Sequence, residues 1–164
     1  MKYILLALSI FSFCSFAAER YEISCKNFDC FRAGWLMRST ATPYYLDTVC
    51  KMNDCNHYGW RSQDNLGNGY DVTCLGNDCF QFGWNSTNLW QGRIYLDRAT
   101  CKNNACLIYG WNVVSGYDYF GGNVTCANFD CSANGGSAFW RNRTSQTVCY
   151  NRDCYHQGWS LFIY

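Results

Sequence analysis

The chain has few of the residues on which enzyme active sites and nucleic-acid surfaces depend. Its 164 residues include two histidines, His57 and His156, and two glutamates, Glu19 and Glu22, which lie near the N-terminus. Once Lys2 is set aside, the other 12 basic residues balance the 12 acidic ones and form no basic run. A neutral surface of this kind does not attract nucleic acid or an anionic membrane. We therefore predict a protein that is not an enzyme, has no cofactor and binds no nucleic acid.

Long apolar runs are missing beyond the N-terminus. The run from Ile4 to Phe13 follows the basic start at Lys2 and is too short to span a bilayer. Ser15-Phe16-Ala17 supplies a small-x-small cleavage site. We predict a signal peptide over residues 1–17, no transmembrane segment, and a secreted, periplasmic or cell-surface protein that begins near Ala18. One of the 13 cysteines, Cys14, lies within this signal peptide.

The other twelve cysteines form six copies of one motif, Cys-x4-Cys, followed four positions later by glycine. In five copies this glycine begins a Gly-Trp pair, whereas the fifth copy has Gly135-Gly136. The motifs recur at steps of 25, 24, 27, 25 and 23 residues, which is typical of one unit repeated in tandem. The cysteines of successive copies are Cys25 and Cys30, Cys50 and Cys55, Cys74 and Cys79, Cys101 and Cys106, Cys126 and Cys131, and Cys149 and Cys154. We predict a single repeat domain over residues 18–164, with copies near 21–43, 44–69, 70–93, 94–119, 120–143 and 144–164.

Turn-forming residues stand between the paired cysteines, and Asp precedes the second cysteine in five copies. A two-residue turn in the middle would make the two cysteines directly opposed neighbours on adjacent strands, about 4.5–5.5 Å apart between Cα atoms. Because cysteines of exported proteins are usually oxidised, we predict six local disulfides and no metal. Two alternatives are a four-cysteine zinc site shared by neighbouring copies, and disulfides that link each copy to the next, such as Cys30 with Cys50, in a closed ring.

Strand-forming residues flank each turn, as in Tyr70 to Thr73 and Phe80 to Phe82. About ten residues, which contain a second, looser turn, separate each Trp from the next strand. Two strands per copy predict an all-β fold of six disulfide-stapled hairpins with about twelve short antiparallel strands and no helix. The array is either solenoid-like or closed. The fifth copy has small residues from Ser132 to Gly136 where the others have aromatics. We expect its strand to be short or bulged, with Trp140 in the vacated position.

Alternation along the strands predicts two faces. The cysteines, Ile23, Val72 and the motif glycines fall on one face, and a ladder of aromatic residues falls on the other, together with the polar residues three positions before each first cysteine. Rings beside carboxylates suit a sugar, which stacks its apolar face on a ring and bonds its hydroxyls to oxygen and nitrogen groups. The predicted ligand-binding residues are Trp60, Tyr58, Trp84, Phe82, Asp47 and Asp71. A buried ladder would instead be the core of stacked hairpins, and this alternative stays open.

Two copies follow the Gly-Trp pair, after about ten residues, with aromatic residues and leucine, in Pro43-Tyr44-Tyr45-Leu46-Asp47 and Arg93-Ile94-Tyr95-Leu96-Asp97. In this they resemble the choline- or cell-wall-binding hairpin repeats of bacterial surface proteins and phage lysins. The resemblance implies a β-solenoid in which aromatics of successive hairpins cage a quaternary ammonium group. The cage candidates that it implies are Trp60, Trp84, Tyr45 and Tyr95.

These features predict an exported binding module for glycan or cell-envelope ligands. The alternative is a disulfide-rich structural or protein-binding scaffold, such as an adhesin, an inhibitor or a toxin component, in which the ladder is core. The aspartates before the second cysteines are expected to cap turns rather than to bind calcium. They are Asp29, Asp54, Asp78, Asp130 and Asp153.

Overall fold

A computed structural model describes residues 18–116, 121–140 and 143–164. Within them, twelve antiparallel strands form a closed barrel, in which β12 pairs with β1. The strands are β1 (Glu19–Cys25), β2 (Trp35–Ser39), β3 (Tyr45–Cys50), β4 (Trp60–Asp64), β5 (Gly69–Cys74), β6 (Gly83–Trp90), β7 (Arg93–Cys101), β8 (Trp111–Val114), β9 (Gly121–Cys126), β10 (Gly136–Trp140), β11 (Arg143–Cys149) and β12 (Trp159–Ile163). The predicted all-β class, hairpin repeats and twelve strands are confirmed, and the array is closed. The predicted signal peptide, with Cys14, lies outside the described residues.

The two ends of the barrel differ because every unit has the same orientation. Each odd-numbered strand ends at the first cysteine of a unit, and each even-numbered strand begins beside the motif glycine. The cysteine motifs therefore gather at one end, the cysteine end. The opposite strand ends, with the described hairpin loops between successive units, lie at the other end, the loop end, together with Glu19 and Ile163, which pair across β1 and β12.

The link between the paired cysteines is the predicted two-residue turn. In the first unit Asn27 and Phe28 have positive φ, 50° and 56°, and Asp29 N donates a hydrogen bond to Lys26 O at 3.0 Å. The other units have positive φ at the same two positions. All six disulfides among the described cysteines are local, with Cα–Cα distances from 4.4 to 4.7 Å. Local pairing is confirmed, and the zinc and inter-copy alternatives are excluded. The prediction that the paired cysteines oppose each other on adjacent strands is wrong, because Trp35 lies opposite Cys25 and the second cysteine of each of the first five units begins a helix.

A short helix follows each of the first five turns. The helices are α1 (Cys30–Ala33), α2 (Cys55–Tyr58), α3 (Cys79–Phe82), α4 (Cys106–Tyr109) and α5 (Cys131–Asn134). Asp29 caps α1, because its Oδ1 accepts hydrogen bonds from Phe31 N and Arg32 N at 3.1 and 2.9 Å. The equivalent carboxylates make the same kind of bond at Asp54, Asp78, Asp130 and Asp153. Capping by the aspartates is confirmed, whereas the prediction of no helix is wrong. No helix in the described part of the chain has the length and apolar character needed to cross a membrane.

The backbone requires the glycine that follows each helix. Gly34 has φ of 90°, and a Cβ there would lie 2.2 Å from the carbonyl oxygen of Thr48 on the next strand. A side chain at this position would therefore meet both a conformational penalty and a steric clash. The equivalent positions show the same close approach at Gly59, Gly83, Gly110, Gly135 and Gly158. The glycine thus lets the chain turn from the helix into the barrel wall.

The helical turn also decides which side chains share a face. Cys25 lies directly opposite Trp35 in the β1–β2 ladder, and Cys50 lies opposite Trp60. Opposed residues of an antiparallel pair point to the same side of the sheet. The tryptophans therefore share the inner face with the first cysteines and with Ile23. The prediction of opposite faces is wrong, because four helical residues interrupt the alternation that was counted along one continuous strand.

Five tryptophans form an arc inside the cysteine end, here called the tryptophan ring. Its members are Trp159, Trp35, Trp60, Trp84 and Trp111, in that order around the barrel. Neighbouring ring centroids are 5.5–5.9 Å apart, and neighbouring planes are tilted by 53–59°. Gly136 occupies the sixth position, between Trp111 and Trp159. The tryptophans thus face the barrel interior, where each is partly buried.

The residue after each second cysteine belongs to a layer that closes this end of the barrel, here called the plug. Its members are Phe31, Asn56, Phe80, Leu107, Ser132 and Tyr155. The Phe31 ring lies 5.0 Å from the Phe80 ring and 4.1 Å from the Tyr155 ring between centroids. Because the first and third units are not neighbours, the contact between Phe31 and Phe80 shows that these side chains converge on the barrel axis.

The fifth unit has a regular backbone. Its strand β10 pairs with β9 and β11 along its whole length. Trp140 lies opposite Gly122, where an added Cβ would lie 2.2 Å from the Trp140 ring. The position of Gly136 is four strand residues away, about 13 Å. The prediction of a short or bulged strand with Trp140 in the vacated position is therefore wrong, because Trp140 packs farther along the strand and the position beside the tryptophan ring stays open.

Candidate functional site

The structure does not bring the six predicted ligand-binding residues together. Trp60 and Trp84 belong to the tryptophan ring inside the barrel, with centroids 5.6 Å apart. Tyr58 and Phe82 end helices α2 and α3 at the cysteine end and are 46% and 37% exposed. The remaining two are aspartates on the outer face. The barrel wall therefore separates Trp60 and Trp84 from the proposed carboxylates, while Tyr58 and Phe82 lie at the end of the barrel.

The two aspartates, Asp47 and Asp71, link neighbouring units on the outer face. Lys26, which follows the first cysteine of its unit, forms an ion pair with Asp47 of the next unit. Lys51 Nζ likewise lies 2.5 Å from Asp71 Oδ1 and donates a hydrogen bond to Val72 O at 2.7 Å. The polar residue three positions before a first cysteine thus accepts from the lysine of the preceding unit, which gives it a structural role.

Asp71 is held in place from two sides. Arg61 Nε lies 2.8 Å from Asp71 Oδ2, on the side opposite Lys51. Burial raises the pKa of Asp71, but the hydrogen bonds and charges of Lys51 and Arg61 outweigh burial and hold the pKa below its usual value. Asp71 is therefore a fixed carboxylate whose oxygens can accept further hydrogen bonds from a ligand.

A groove of about 1050 Å³ crosses the outer face from β3 to β7. Within this region the β4–β5 ladder has three paired positions, the β5–β6 ladder six and the β6–β7 ladder eight. The polar side chains of the groove are Asp47, Arg61, Gln63, Asp71 and Thr87, and its apolar side chains are Tyr45, Val49, Leu89 and Ile94. Ile94 is 68% exposed, and Tyr45 and Leu89 are each 44% exposed. The groove thus presents a ring and alkyl groups beside fixed charges.

Asn65 fixes one wall of the groove. Its Oδ1 accepts a hydrogen bond from Tyr45 N, and its Nδ2 donates one to Pro43 O, both at 3.1 Å. Asp64 Oδ1 closes the same turn by accepting from Leu66 N at 2.9 Å. The β4–β5 turn is therefore tied to β3, and the backbone that carries Tyr45 is held in position.

The four cage candidates implied by the resemblance to choline-binding repeats are also separated. Trp60 and Trp84 lie inside the cysteine end, and Tyr95 lies on the inner face of β7, in alternation with the exposed Ile94. Tyr45 lies on the outer face. The four rings therefore do not surround a common volume.

An apolar cavity of about 340 Å³ adjoins the open position of the tryptophan ring. Its walls are the ring itself, Phe31, Phe80 and Leu107 of the plug, and Ala138 and Leu161 on β10 and β12. None of the residues that line it is charged. Such a cavity favours an apolar occupant, because a charge placed in it would lose its hydration without gaining a partner.

Polar residues line the barrel interior nearer the loop end. Asp64 is 4% exposed. Burial, followed by the nearby charge of Asp64, raises the pKa of Tyr44 to about 12. Asn88 Nδ2 donates a hydrogen bond to Asp97 Oδ2, and Gly116 N donates one to Asp97 Oδ1 at 2.9 Å. These bonds hold the strand ends together, and both carboxylates are engaged in hydrogen bonds.

The described residues hold no group of three or more His, Cys, Asp and Glu side chains placed to bind a metal ion. The two histidines repeat one arrangement, in which Nδ1 of His57 lies 2.7 Å from Asp54 and Nδ1 of His156 lies 2.8 Å from Asp153. Each histidine contacts the capping aspartate of its own unit. The pair is a shared feature of two repeats rather than one site.

The groove and the cavity both include residues that were not predicted from the sequence as site residues. Leu89 and Ile94 are outward-facing apolar residues beside the tip of the longest hairpin, and this pattern was an available sign of the groove. Ser132 and Gly136 depart from the repeat pattern at two positions of one unit, and this coincidence was an available sign of the cavity.

Neither location can be assigned from a relative. No protein-family model, curated protein or solved structure matches the chain. The geometry alone therefore identifies the outer groove and the apolar cavity as the candidate functional sites.

Proposed function

We propose that the protein is an exported, non-enzymatic binding module that holds a glycan or cell-envelope ligand in the outer groove. The observation that carries the proposal is the lining of the groove, where Tyr45, Leu89 and Ile94 lie beside Gln63 and Asp71. A sugar needs both an apolar surface for its ring and polar groups for its hydroxyls. Export follows from the predicted signal peptide and agrees with the disulfides, which are typical of oxidising compartments.

The groove needs little rearrangement to bind. Lys51 and Arg61 orient the Asp71 carboxylate, and Asn65 holds the backbone of Tyr45. Ordering side chains on binding costs free energy, so groups that are already held favour affinity. This pre-organisation supports a binding role for a surface that otherwise resembles an ordinary strand face.

The charges of the groove favour a neutral or zwitterionic ligand. Asp47 is paired with Lys26, and Asp71 is paired with both Lys51 and Arg61. Since the carboxylates are already countered, the groove offers no strong net field to a polyanion. Neutral oligosaccharides, cell-wall fragments and choline headgroups are the ligands that this chemistry suits.

Calorimetric titration with neutral oligosaccharides, cell-wall fragments and choline tests the proposal. Tyr45→Ala removes the exposed ring and Asp71→Asn removes the fixed charge, and we expect each to weaken binding by about tenfold or more. Phe139→Ala is the matched control, because Phe139 is 56% exposed on the outer face of β10, outside the groove. Absence of binding in all three ligand classes, or equal binding by folded Tyr45→Ala, would contradict the proposal.

A second candidate function is a protein-binding scaffold, and the tips of the cysteine end favour it. Phe28, Met52 and Phe129 are 77%, 81% and 72% exposed. Phe28 and Phe129 have positive φ, which asparagine adopts more readily than phenylalanine. In the double variant Phe28→Asn and Phe129→Asn, glycan binding is retained if the groove is the functional surface. Loss of glycan binding in this folded variant would move the site to the cysteine end.

A further inference from the structure

We infer a second binding site, in which the apolar cavity of the cysteine end takes a small, uncharged, planar aromatic molecule of one or two fused rings, such as indole. The cavity lies inside the barrel, whereas the groove of the proposed function lies on its outer face. The inference therefore does not depend on the proposed function.

Two departures from the repeat pattern in the same unit create the cavity. Gly136 stands where five units have Trp, and Ser132 stands where the other units have Phe, Asn, Phe, Leu and Tyr. Both residues line the cavity. A missing indole in the tryptophan ring thus lies next to a missing side chain in the plug. Because the strand of this unit is regular, the wall has not collapsed to recover the lost volume.

The second cysteine of this unit is less well covered than the second cysteines of the other units. The second cysteines of the first four units are 0% exposed, and Cys154 is 6% exposed. Cys131 is only partly buried and lines the cavity. The side chains that cover the sulfur in the other units are therefore absent here, and the space reaches from the plug to the barrel wall.

The size and lining of the cavity define the class of ligand. Its volume of about 340 Å³ falls in the range of about 300–1,000 Å³ typical of small-molecule pockets. An aromatic ligand placed between Trp111 and Trp159 would occupy the open sixth position of the tryptophan ring. Its plane could tilt against both indoles, an arrangement that aromatic groups favour. Ser145 and Thr147 also line the cavity, and a hydroxyl group can accept a hydrogen bond from a single polar atom, such as the N–H of indole.

Calorimetry with indole and naphthalene as probes tests the site on the full chain. Ser132→Phe adds the ring that the first and third units have, and Ala138→Leu adds the side chain that the last unit has at Leu161. We expect one probe molecule per chain, and binding that is weaker by about tenfold or more in each filled variant. Ser137→Phe, on the outer face of β10, adds the same ring outside the barrel. We expect this control to bind within about twofold of the unmodified protein.

Gly136→Trp is not the variant of choice, since a Cβ at Gly136 would lie 2.5 Å from the carbonyl oxygen of Thr125. Nuclear Overhauser contacts between bound naphthalene and the rings of Trp111 and Trp159 provide a test without any substitution. We expect these contacts in the unmodified protein. Failure of indole to bind at millimolar concentration together with failure of naphthalene to bind up to its solubility limit, absence of the contacts, or unchanged binding in a folded Ser132→Phe variant overturns the inference. Tyr45→Ala is expected to bind indole normally, which separates this site from the groove.

Discussion

Asn56 places an amide in the plug, a layer that otherwise consists mainly of aromatic and aliphatic side chains. Its Oδ1 is buried and has no hydrogen-bond partner among the described residues. A buried acceptor without a donor costs about 1–3 kcal/mol. Four of the other five units have Phe, Leu or Tyr at this position. Closure of the cysteine end therefore does not require an amide there.

Replacement of this amide is expected to stabilise the barrel. Asn56→Leu should raise the free energy of unfolding by about 1 kcal/mol, because it removes the unpaired acceptor and fills the same volume with an apolar group. The reciprocal variant, Leu107→Asn, should lower the free energy of unfolding by about 2 kcal/mol. Urea denaturation of the oxidised protein measures both values. If each variant changes the free energy of unfolding by only a few tenths of a kcal/mol, the amide of Asn56 is hydrated in solution.

Tyr155 makes stability depend on alkaline pH. Burial, followed by the charges of Asp130 and Asp78, raises its pKa from 10.0 to about 12. In the unfolded chain the phenol ionises near its ordinary pKa, so its contribution to stability is complete below pH 10 and is lost as the pH rises towards about 12. We expect the unmodified protein to lose more stability than Tyr155→Phe across this window. Urea denaturation at several pH values compares the two, and parallel losses would show that Tyr155 is not the responsible group.

At the scale of the elements, the cysteine motif predicts its own turn well but not the helix after it. The turn and the local disulfide depend on residues within one six-residue segment, so composition and spacing were sufficient. Each helix has four residues, too few for a hydrophobic period to be recognised. The available signs were the aspartate at its start and the glycine after its end, which are the usual capping residues.

The missed helix explains the error in the site. A strand alternates with a period of two, whereas four helical residues and a glycine return the chain to the barrel with the Trp on the side of the cysteine. Continuous alternation therefore predicts Asp71 and Trp84 on one face, although the barrel wall separates them. Side chains on a single strand, such as Asp71 and Val72, were assigned to opposite faces correctly because no helix intervenes.

The fourth unit offers a test of the capping aspartate. Ala105 occupies the cap position of α4 and makes no side-chain cap hydrogen bond. Ala105→Asp should raise the free energy of unfolding by about 1 kcal/mol, since the new carboxylate can accept from Leu107 N and Ile108 N. Asp78→Ala, which removes the cap of α3, should lower it by a similar amount. Thermal denaturation measures both variants. A loss of stability in Ala105→Asp would show that a carboxylate at this position does not stabilise the helix.

At the scale of the whole molecule, the closed barrel follows from pairing between β1 and β12. These strands match over five positions, from Glu19 with Ile163 to Ile23 with Trp159. Neither strand differs from the others in a way that marks it as a seam, so the sequence predicts the repeat without predicting whether the array closes. Closure depends on the sum of twist and stagger over all strands, which no single unit reveals.

Because the first strand, β1, pairs with the last strand, β12, a circular permutant should fold. A short glycine linker from Tyr164 to Ala18, with new ends between Gln91 and Gly92, opens the exposed loop between the third and fourth units. We expect this permutant to form the same six disulfides and to keep the near-ultraviolet circular dichroism of its tryptophan ring. A second permutant, opened between Gly76 and Asn77 inside a cysteine motif, should be less stable. Equal stability of the two permutants would show that the covalent turn contributes little.

The local disulfides have a consequence for the order of events during oxidative folding. Each of the twelve cysteines in the described part of the chain has its correct partner five residues away. Closing a short loop costs less entropy than closing a long one, so this partner has the highest effective concentration of any thiol in an unfolded chain. The native pairs should form before the barrel exists, with little need for an isomerase. Pairing of β1 with β12 joins the segments that are most distant in the sequence, so we expect it to form last. The local disulfides cross-link neither of these strands to the other, so they neither speed this step nor prevent it.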